Sequence, residues 1–302
     1  EIIFWDNKST DNSKYIFGLS GIKGSKYCKG ITKKSDVILV LGSRLAVPFI
    51  GYKSEAFSKN AKIIMVDADI SELKKPLKLK LKIHSNIKDF LVQFEKKIKK
   101  TKLPNFNNWI NYCENLKKRN PIITPSIKKN PIDLYYFMER LGKISKSKSV
   151  LITDAGSNYY IGGQVWHFEK GQREITSGSN AAMGLSIPLA VGASVAKPTT
   201  NIYAVTGDGS LELNIQELKT ISHYNLNIKL FVINNGGYVS MLNWQDTIFK
   251  GRRLDTKEAT GAGSLNLKKI ANAFEMKWIK IGNVEKIDRD LRGIKKIKKP
   301  LF

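Results

Sequence analysis

Gly207-Asp208-Gly209-Ser210 closes one apolar run, and Asn234-Asn235 closes the next, with Asn235 27 residues after Asp208. The two glycines let the backbone turn tightly and come close to a ligand. A helix beginning after Ser210 would aim unpaired N–H groups at the same spot, which suits an anion and phosphate above all. Asp208 sets a carboxylate beside that anion, and the two repel unless a cation lies between them. Mg²⁺ takes one or two protein carboxylates or carbonyls together with phosphate oxygens, and Asn235 can offer a carbonyl oxygen from the neighbouring strand end. The residues therefore describe a metal-bridged diphosphate site. A bare Gly-Asp-Gly also occurs in ordinary turns; the paired Asn, one helix and one strand later, is what sets this pattern apart.

Such a site needs strands that end together. Asn201–Thr206 and Ile228–Ile233 read as buried parallel strands with a helix, Leu211–Ser222, between them. Val150–Thr153 is a third strand, ending at Asp154-Ala155-Gly156. Ligands in open parallel sheets bind outside the carboxyl ends of strands, so 154–158, 207–210 and 234–238 form one candidate rim. Helices are expected at Pro131–Leu141, with Pro131 in the first turn, and at Ala181–Val195, Tyr238–Phe249, Leu265–Phe274 and Val284–Ile294, with a strand at Lys277–Ile281. Upstream, strands Asp36–Gly42 and Lys62–Asp67 with helices Phe49–Lys59 and Asn86–Lys100 make a smaller unit of the same kind. The stretch 101–130, with Pro104, Pro121 and Pro125 and a short helix over Trp109–Lys118, reads as a linker. The expected class is α/β, as two doubly wound parallel-sheet domains: 1–100, then a linker over 101–130, then 131–302.

Composition narrows the function classes. Hydrophobic residues at 42% and charged residues at 25% are ordinary for a folded protein, which excludes disorder as the main state. No apolar run reaches the length of a membrane span, so no membrane partner is expected. Cys28 and Cys113 are too few for a disulfide scaffold and fit a reducing cytoplasm. The net charge of +25 raises nucleic acid as a partner, yet the cations are 43 Lys against 8 Arg and are spread along the chain. That reads as solvated surface, and no nucleic-acid partner is expected. The opening at Glu1, directly into Ile2-Ile3-Phe4-Trp5, and the stop at Phe302 read as cuts through a longer protein.

The motifs resemble the thiamine-diphosphate (ThDP) enzymes, and their surroundings resemble the acetolactate synthase branch. Four stretches carry the likeness: Thr176 to Gly184 followed by Pro188 to Ala193; Gly207 to Leu218; Asn234 to Gln245; and, for the family's middle domain, Asp36 to Arg44 with Ile64 to Leu73. Met183 stands 25 residues before Asp208, as in the family. The resemblance implies that Asp208 and Asn235 ligate Mg²⁺ and that the Gly237 carbonyl adds a third ligand. It implies that Gly207, Gly209 and Ser210 hold the diphosphate, and that Gly156, Ser157 and Asn158 face it from the other side. It also implies that Met183 props the cofactor in a bent shape and that Ala181 and Met183 backbone groups meet the aminopyrimidine. Trp244, nine residues past Asn235, would touch the acceptor substrate. The implied reaction is decarboxylation of a 2-oxo acid, pyruvate first, with joining to a second carbonyl, by a homodimer or homotetramer.

The chain also departs from the family. The Glu that activates ThDP belongs to a pyrimidine-binding domain outside this sequence, so no catalytic residue is assigned and the chain alone is expected to be inactive. Leu45 to Tyr52 stands where biosynthetic acetolactate synthases are acidic, which argues against tight FAD binding and suggests a divergent paralogue. Two other readings stay open: a ThDP lyase or decarboxylase with another substrate, and a nucleotide-binding or regulatory module without catalysis. His84, His167 and His223 are read as non-catalytic, and Arg252-Arg253 as a solvated turn.

Overall fold

The computed structural model describes residues 15–21, 23–53, 57–145 and 148–302, apart from the side chains of Pro48 and Ser179. The opening segment Ile2–Trp5 and part of the helix expected over Phe49–Lys59 lie outside the described residues. Two compact units divide between Ile122 and Ile123.

The first unit runs α1 (Lys26–Lys34), β1 (Val37–Leu41), α2 (Val47–Ile50), β2 (Lys62–Asp67), α3 (Ile70–Leu73), β3 (Leu81–His84), α4 (Ile87–Ile98) and α5 (Asn107–Arg119). Among the described residues its sheet has the order β1-β2-β3, all parallel. Helix α5 lies in the stretch expected as a linker. It belongs to this unit because Ile110 and Cys113 are buried in one cluster with Tyr27, Cys28 and Ile31 of α1. The helix itself was expected over Trp109–Lys118; its narrow apolar stripe and the three prolines around it made the stretch read as a linker. Strand β3 was not expected because Lys82, with Lys78 and Lys80 just before it, interrupts any apolar run; charged residues of this kind protect a sheet edge from further pairing. The helix expected from Phe49 shrinks to the single turn α2, which ends at Gly51 with φ 79°.

The second unit runs α6 (Leu134–Ile144), β4 (Ser149–Thr153), α7 (Ser157–Val165), β5 (Arg173–Thr176), α8 (Ser186–Ala196), β6 (Asn201–Gly207), α9 (Asp208–Leu211), α10 (Glu217–His223), β7 (Ile228–Ile233), α11 (Val239–Ile248), α12 (Leu267–Ala273) and α13 (Ile287–Lys296). Its strands lie in the order β5-β4-β6-β7, all parallel. Both faces are covered, which is why β4 is buried at every position and β6 along nearly all its length. One face packs Ile152, Ile202, Ala204 and Leu230 against Ile187 and Ala190 of α8 and Leu218 and Ile221 of α10. The other stacks Tyr203 on Phe231, with Phe137 of α6 edge-on to Phe231 and Trp166 tilted against Tyr203.

Several boundaries differ from the sequence expectation for local reasons. Helix α6 starts at Leu134, not Pro131, because the Asp133 side chain caps it by accepting from Tyr135 N at 2.8 Å. Helix α8 starts at Ser186, five residues late, because Ala181 (φ 47°) and Gly184 (φ 78°) hold left-handed backbone. The helix expected over Leu211–Ser222 is broken into α9, a 3₁₀ turn at Glu212–Asn214, and α10. The strand expected at Lys277–Ile281 is reduced to a parallel bridge from Lys277 to Leu301. Strand β5 and helix α7 went unread: β5 is polar (Arg-Glu-Ile-Thr), and α7 holds a Gly pair. A Cβ on Gly162 would sit 3.0 Å from Thr153 Cγ2, so the glycine lets α7 lie close to β4 without crowding.

Candidate functional site

Register brings the polar strand ends to one edge of the second sheet. Thr153 pairs with both Thr176 and Val205, and Gly207 with Ile233, so Asp154, Ser177, Asp208 and Asn234 all follow directly at the carboxyl edge. Strand β4 lies between its sequence neighbour β5 and the returning β6, so the chain reverses direction across the sheet between the β4 and β6 ends. That is where a crevice opens in sheets of this kind.

Asp208 is the centre of this edge. Its side chain is buried, and its Oδ2 accepts N–H bonds from Asn235 (3.1 Å), Gly236 (2.8 Å) and Gly237 (3.3 Å), while Oδ1 accepts from Gly209 N at 2.9 Å. Three consecutive N–H groups can point inward because Gly236 and Gly237 adopt φ of 77° and 131°. Gly237 is also held from outside: it bridges to Lys257, and a Cβ on it would strike the Thr256 carbonyl.

One end of the Asn235 amide lies 2.9 Å from the Gly237 carbonyl oxygen and 3.2 Å from Asp208 Oδ1. Without a metal that end is the NH₂ group, which donates to both. Turned by 180°, it is the carbonyl oxygen, and three oxygens then converge on one point, an arrangement that only a cation makes favourable. Among the described residues no group of three His, Cys, Asp or Glu stands ready for a metal. The set here is one carboxylate, one amide and one backbone carbonyl, a hard-oxygen mixture of the kind that suits Mg²⁺.

The cleft beside these groups has Asp208, Gly209, Gly237 and Tyr238 on one side and residues 262–265 on the other. At about 100 Å³ it holds a phosphate group or two, well under the several hundred Å³ of a whole cofactor pocket. Tyr238 roofs the loop. A Cβ on Gly209 would stand 2.9 Å from its ring Cδ1 and nearer still to Cε1. Burial, then Glu212, then Asp208 push the Tyr238 phenol above its ordinary pKa. Gly209→Ala is expected to drive the ring off the loop. The cost in stability should be about 1–3 kcal/mol, and Mg²⁺-dependent diphosphate binding should weaken at least about tenfold. Thermal melts with calorimetric titration check this, and full affinity in the variant would contradict it.

Gly184, directly after Met183, packs against the end of the 207–210 turn: a Cβ on it would meet Ser210 O and Leu213 Cβ, each at 2.9 Å, and Asn214 donates to its carbonyl at 3.2 Å. Met183 is half-buried and Ala181 exposed, so the segment lies along the same rim as Ser210. Gly156, at φ 77°, precedes α7, whose first residue is Ser157; a Cβ on Gly156 would lie 3.3 Å from Ser240 Oγ of α11. Asn158 is buried, and its amide donates to the Val205 carbonyl at 3.2 Å, within the fold and not towards the cleft. Trp244 is 53% exposed on α11 and is not among the residues lining the cleft. Arg253 is paired through two N–H groups with Asp246, at 2.7 and 2.9 Å. Sequence reasoning missed the Tyr238 roof and Asn214. Tyr238 carries a readable signal, a lone aromatic directly after Gly-Gly.

Comparison with known proteins identifies the two domains. Residues 154–302 match the family described as thiamine pyrophosphate enzyme, C-terminal TPP binding domain, and residues 9–94 match its central domain. The acetolactate synthase large subunit of Lactococcus lactis is 27% identical over 277 residues, 92% of this chain and 47% of that protein. The large subunit of Cyanidium caldarium is 30% identical over 276 residues, with 89% and 46% covered, and isozyme 1 of Escherichia coli is 28% identical over 268, also with 89% and 46% covered. The chain thus spans about half the length of the curated relatives it matches. No helix among the described residues is long and apolar enough to cross a membrane. With its central and cofactor-binding domains both matched, the chain belongs to the thiamine pyrophosphate enzymes.

Proposed function

We propose that the whole protein is a ThDP- and Mg²⁺-dependent enzyme that decarboxylates pyruvate and joins the remaining two-carbon unit to a second carbonyl. The observation that carries this reading is the meeting of the Asp208 carboxylate, the Asn235 side-chain amide and the Gly237 carbonyl oxygen beside the glycine-rich start of α9. Asp208, Asn235 and the Gly237 carbonyl hold the ion. The start of α9 at Gly209 and Ser210 faces the phosphate oxygens, where the Gly209 N–H would have to be shared with Asp208, and Gly156 and Ser157 lie across the rim. Met183 and Ala181 border the organic part of the cofactor. Bound ThDP supplies the carbon nucleophile and the electron sink for decarboxylation. The relatives named acetolactate synthase make a 2-oxo acid the first acceptor to test, and branched-chain amino acid biosynthesis the setting.

The test is CO₂ release from pyruvate by the whole protein with ThDP and Mg²⁺, with products resolved by mass. Acetolactate is expected. CO₂ with acetaldehyde alone would point to a simple decarboxylase, and no turnover of pyruvate would sink the proposal. Trp244, exposed on α11, is assigned to the acceptor. A flat aromatic wall favours a substrate one methylene larger by about 1–3 kcal/mol at most. Trp244→Leu should therefore lower the preference for 2-oxobutyrate over pyruvate in a competition assay. An unchanged product ratio would make Trp244 a packing or interface residue.

A further inference from the structure

Asp154 is fully buried at the end of β4, and the cofactor contacts proposed above make no use of it. Its carboxylate accepts five hydrogen bonds. Oδ1 takes Ala155 N at 2.7 Å and Gly184 N at 2.9 Å; Oδ2 takes Ser186 N at 3.2 Å, Ser186 Oγ at 2.6 Å and Thr206 Oγ1 at 3.0 Å. Every lone-pair direction is used, so the group has no capacity left for a ligand. Its partners belong to three different segments. Gly184 and Ser186 flank the turn that carries Met183 into α8. Thr206, itself buried, is the last residue before Gly207-Asp208. Helix α8 has no capping side chain of its own, since its N-cap is Leu185. Asp154 supplies the missing cap from another strand and favours the N-terminal end of an 11-residue helix by its charge.

We propose that Asp154 is a positioning residue that fixes the Met183 segment relative to the metal–diphosphate loop, and so couples the two halves of the ThDP site. This rests on the ThDP reading above. The loop at 207–210 has its own support, because Asp208 is held by Gly209 and by residues 235–237. The 181–186 turn, with left-handed residues at 181 and 184, is held on its inner side by Asp154 and by the Asn214 bond to the Gly184 carbonyl. Loss of the carboxylate should therefore leave the phosphate half intact and release the other half.

That asymmetry is measurable by titrating the whole protein with Mg²⁺ and either inorganic diphosphate or ThDP. The wild-type protein should bind ThDP more tightly than diphosphate. Asp154→Asn should lose that advantage, with ThDP affinity falling about tenfold or more while diphosphate affinity stays within about twofold. Thr206→Val, which removes one bond and keeps the shape, should show the same split at smaller size, and it decides the matter if Asp154→Asn does not fold. Equal loss for both ligands in a folded variant would mean a merely structural role, and no loss for either would mean no role; each overturns the proposal. A wild-type protein that binds neither ligand, or both equally, would instead overturn the ThDP reading beneath it.

Discussion

Asp208→Ala should abolish the Mg²⁺ dependence of ThDP binding and weaken binding at saturating Mg²⁺ on the order of 100-fold or more, about 3 kcal/mol. In the proposed site the side chain does two jobs. It is the carboxylate in the oxygen set, without which the metal keeps only two neutral ligands and the diphosphate charge is left unbridged. It is also the common acceptor for the Asn235, Gly236 and Gly237 N–H groups, and so holds the turn that presents the other two oxygens. Stability should suffer much less. Asn235 and Gly236 are exposed, so water can replace the lost acceptor at a cost of about 1–2 kcal/mol. Asp208→Asn separates the two jobs: it can still accept from the turn but cannot bridge the ion, and it should lose the Mg²⁺ dependence as fully as Ala. Calorimetric titration with ThDP, with and without Mg²⁺, reads both. A variant that keeps wild-type affinity would show that the metal is held elsewhere.

Lys229→Met should stabilise the second unit by up to about 3 kcal/mol at pH 7. Lys229 is 1% exposed on β7, and its ammonium group donates to the Asn227 side chain. Burial first, and then the neighbouring Lys298, lower its pKa from 10.5 to about 8. Below pH 8 the amine is charged in both states, and the folded protein bears the full cost of holding that charge in a dry site. Between pH 8 and 10.5 the unfolded chain binds the proton more strongly, so this group's contribution to stability rises with pH. Above 10.5 the amine is neutral in both states and the cost is gone. The variant's advantage should therefore be largest at neutral pH and shrink towards zero as pH climbs through that window. Paired denaturant melts from pH 7 to 10.5 measure it; comparing the two proteins at each pH removes the contribution of tyrosines such as Tyr203, whose phenol burial pushes up. A stability difference that does not change with pH would contradict the assignment.

The parts of the fold legible in the sequence were those whose burial is two-sided. Strands β4, β6 and β7 read as continuous apolar runs because helices cover both faces. The rim was legible for a related reason: Gly, Asp and Asn clustered after such runs mark a turn that must carry out chemistry or bind backbone closely. What escaped reading was set by tertiary contact. Strand β5 lies at the sheet edge and needs no apolar pattern. Helix α5 was legible as a short helix, but with only Ile110 and Cys113 buried its sequence did not show that it packs into the first unit and is no linker. The late start of α8 depends on Gly184, where Ser210 and Leu213 leave room for no side chain, and a sequence shows the Gly without showing what presses on it. Asp154 was visible as one more polar strand end, yet its value lies in partners 30 and more residues away.

The central claim is that Asp208, Asn235 and Gly237 together hold the cation that bridges the cofactor's diphosphate. Crystals of the chain grown with Mn²⁺ and ThDP would test it directly, because Mn²⁺ substitutes for Mg²⁺ at oxygen sites and scatters anomalously. The account predicts one anomalous peak at bonding distance, roughly 2.0–2.3 Å, from an Asp208 carboxylate oxygen, the Asn235 side-chain oxygen and the Gly237 carbonyl oxygen, with phosphate oxygens completing its shell. Bound ThDP with its metal on other residues, or with the Asn235 NH₂ still turned towards Gly237, would contradict it.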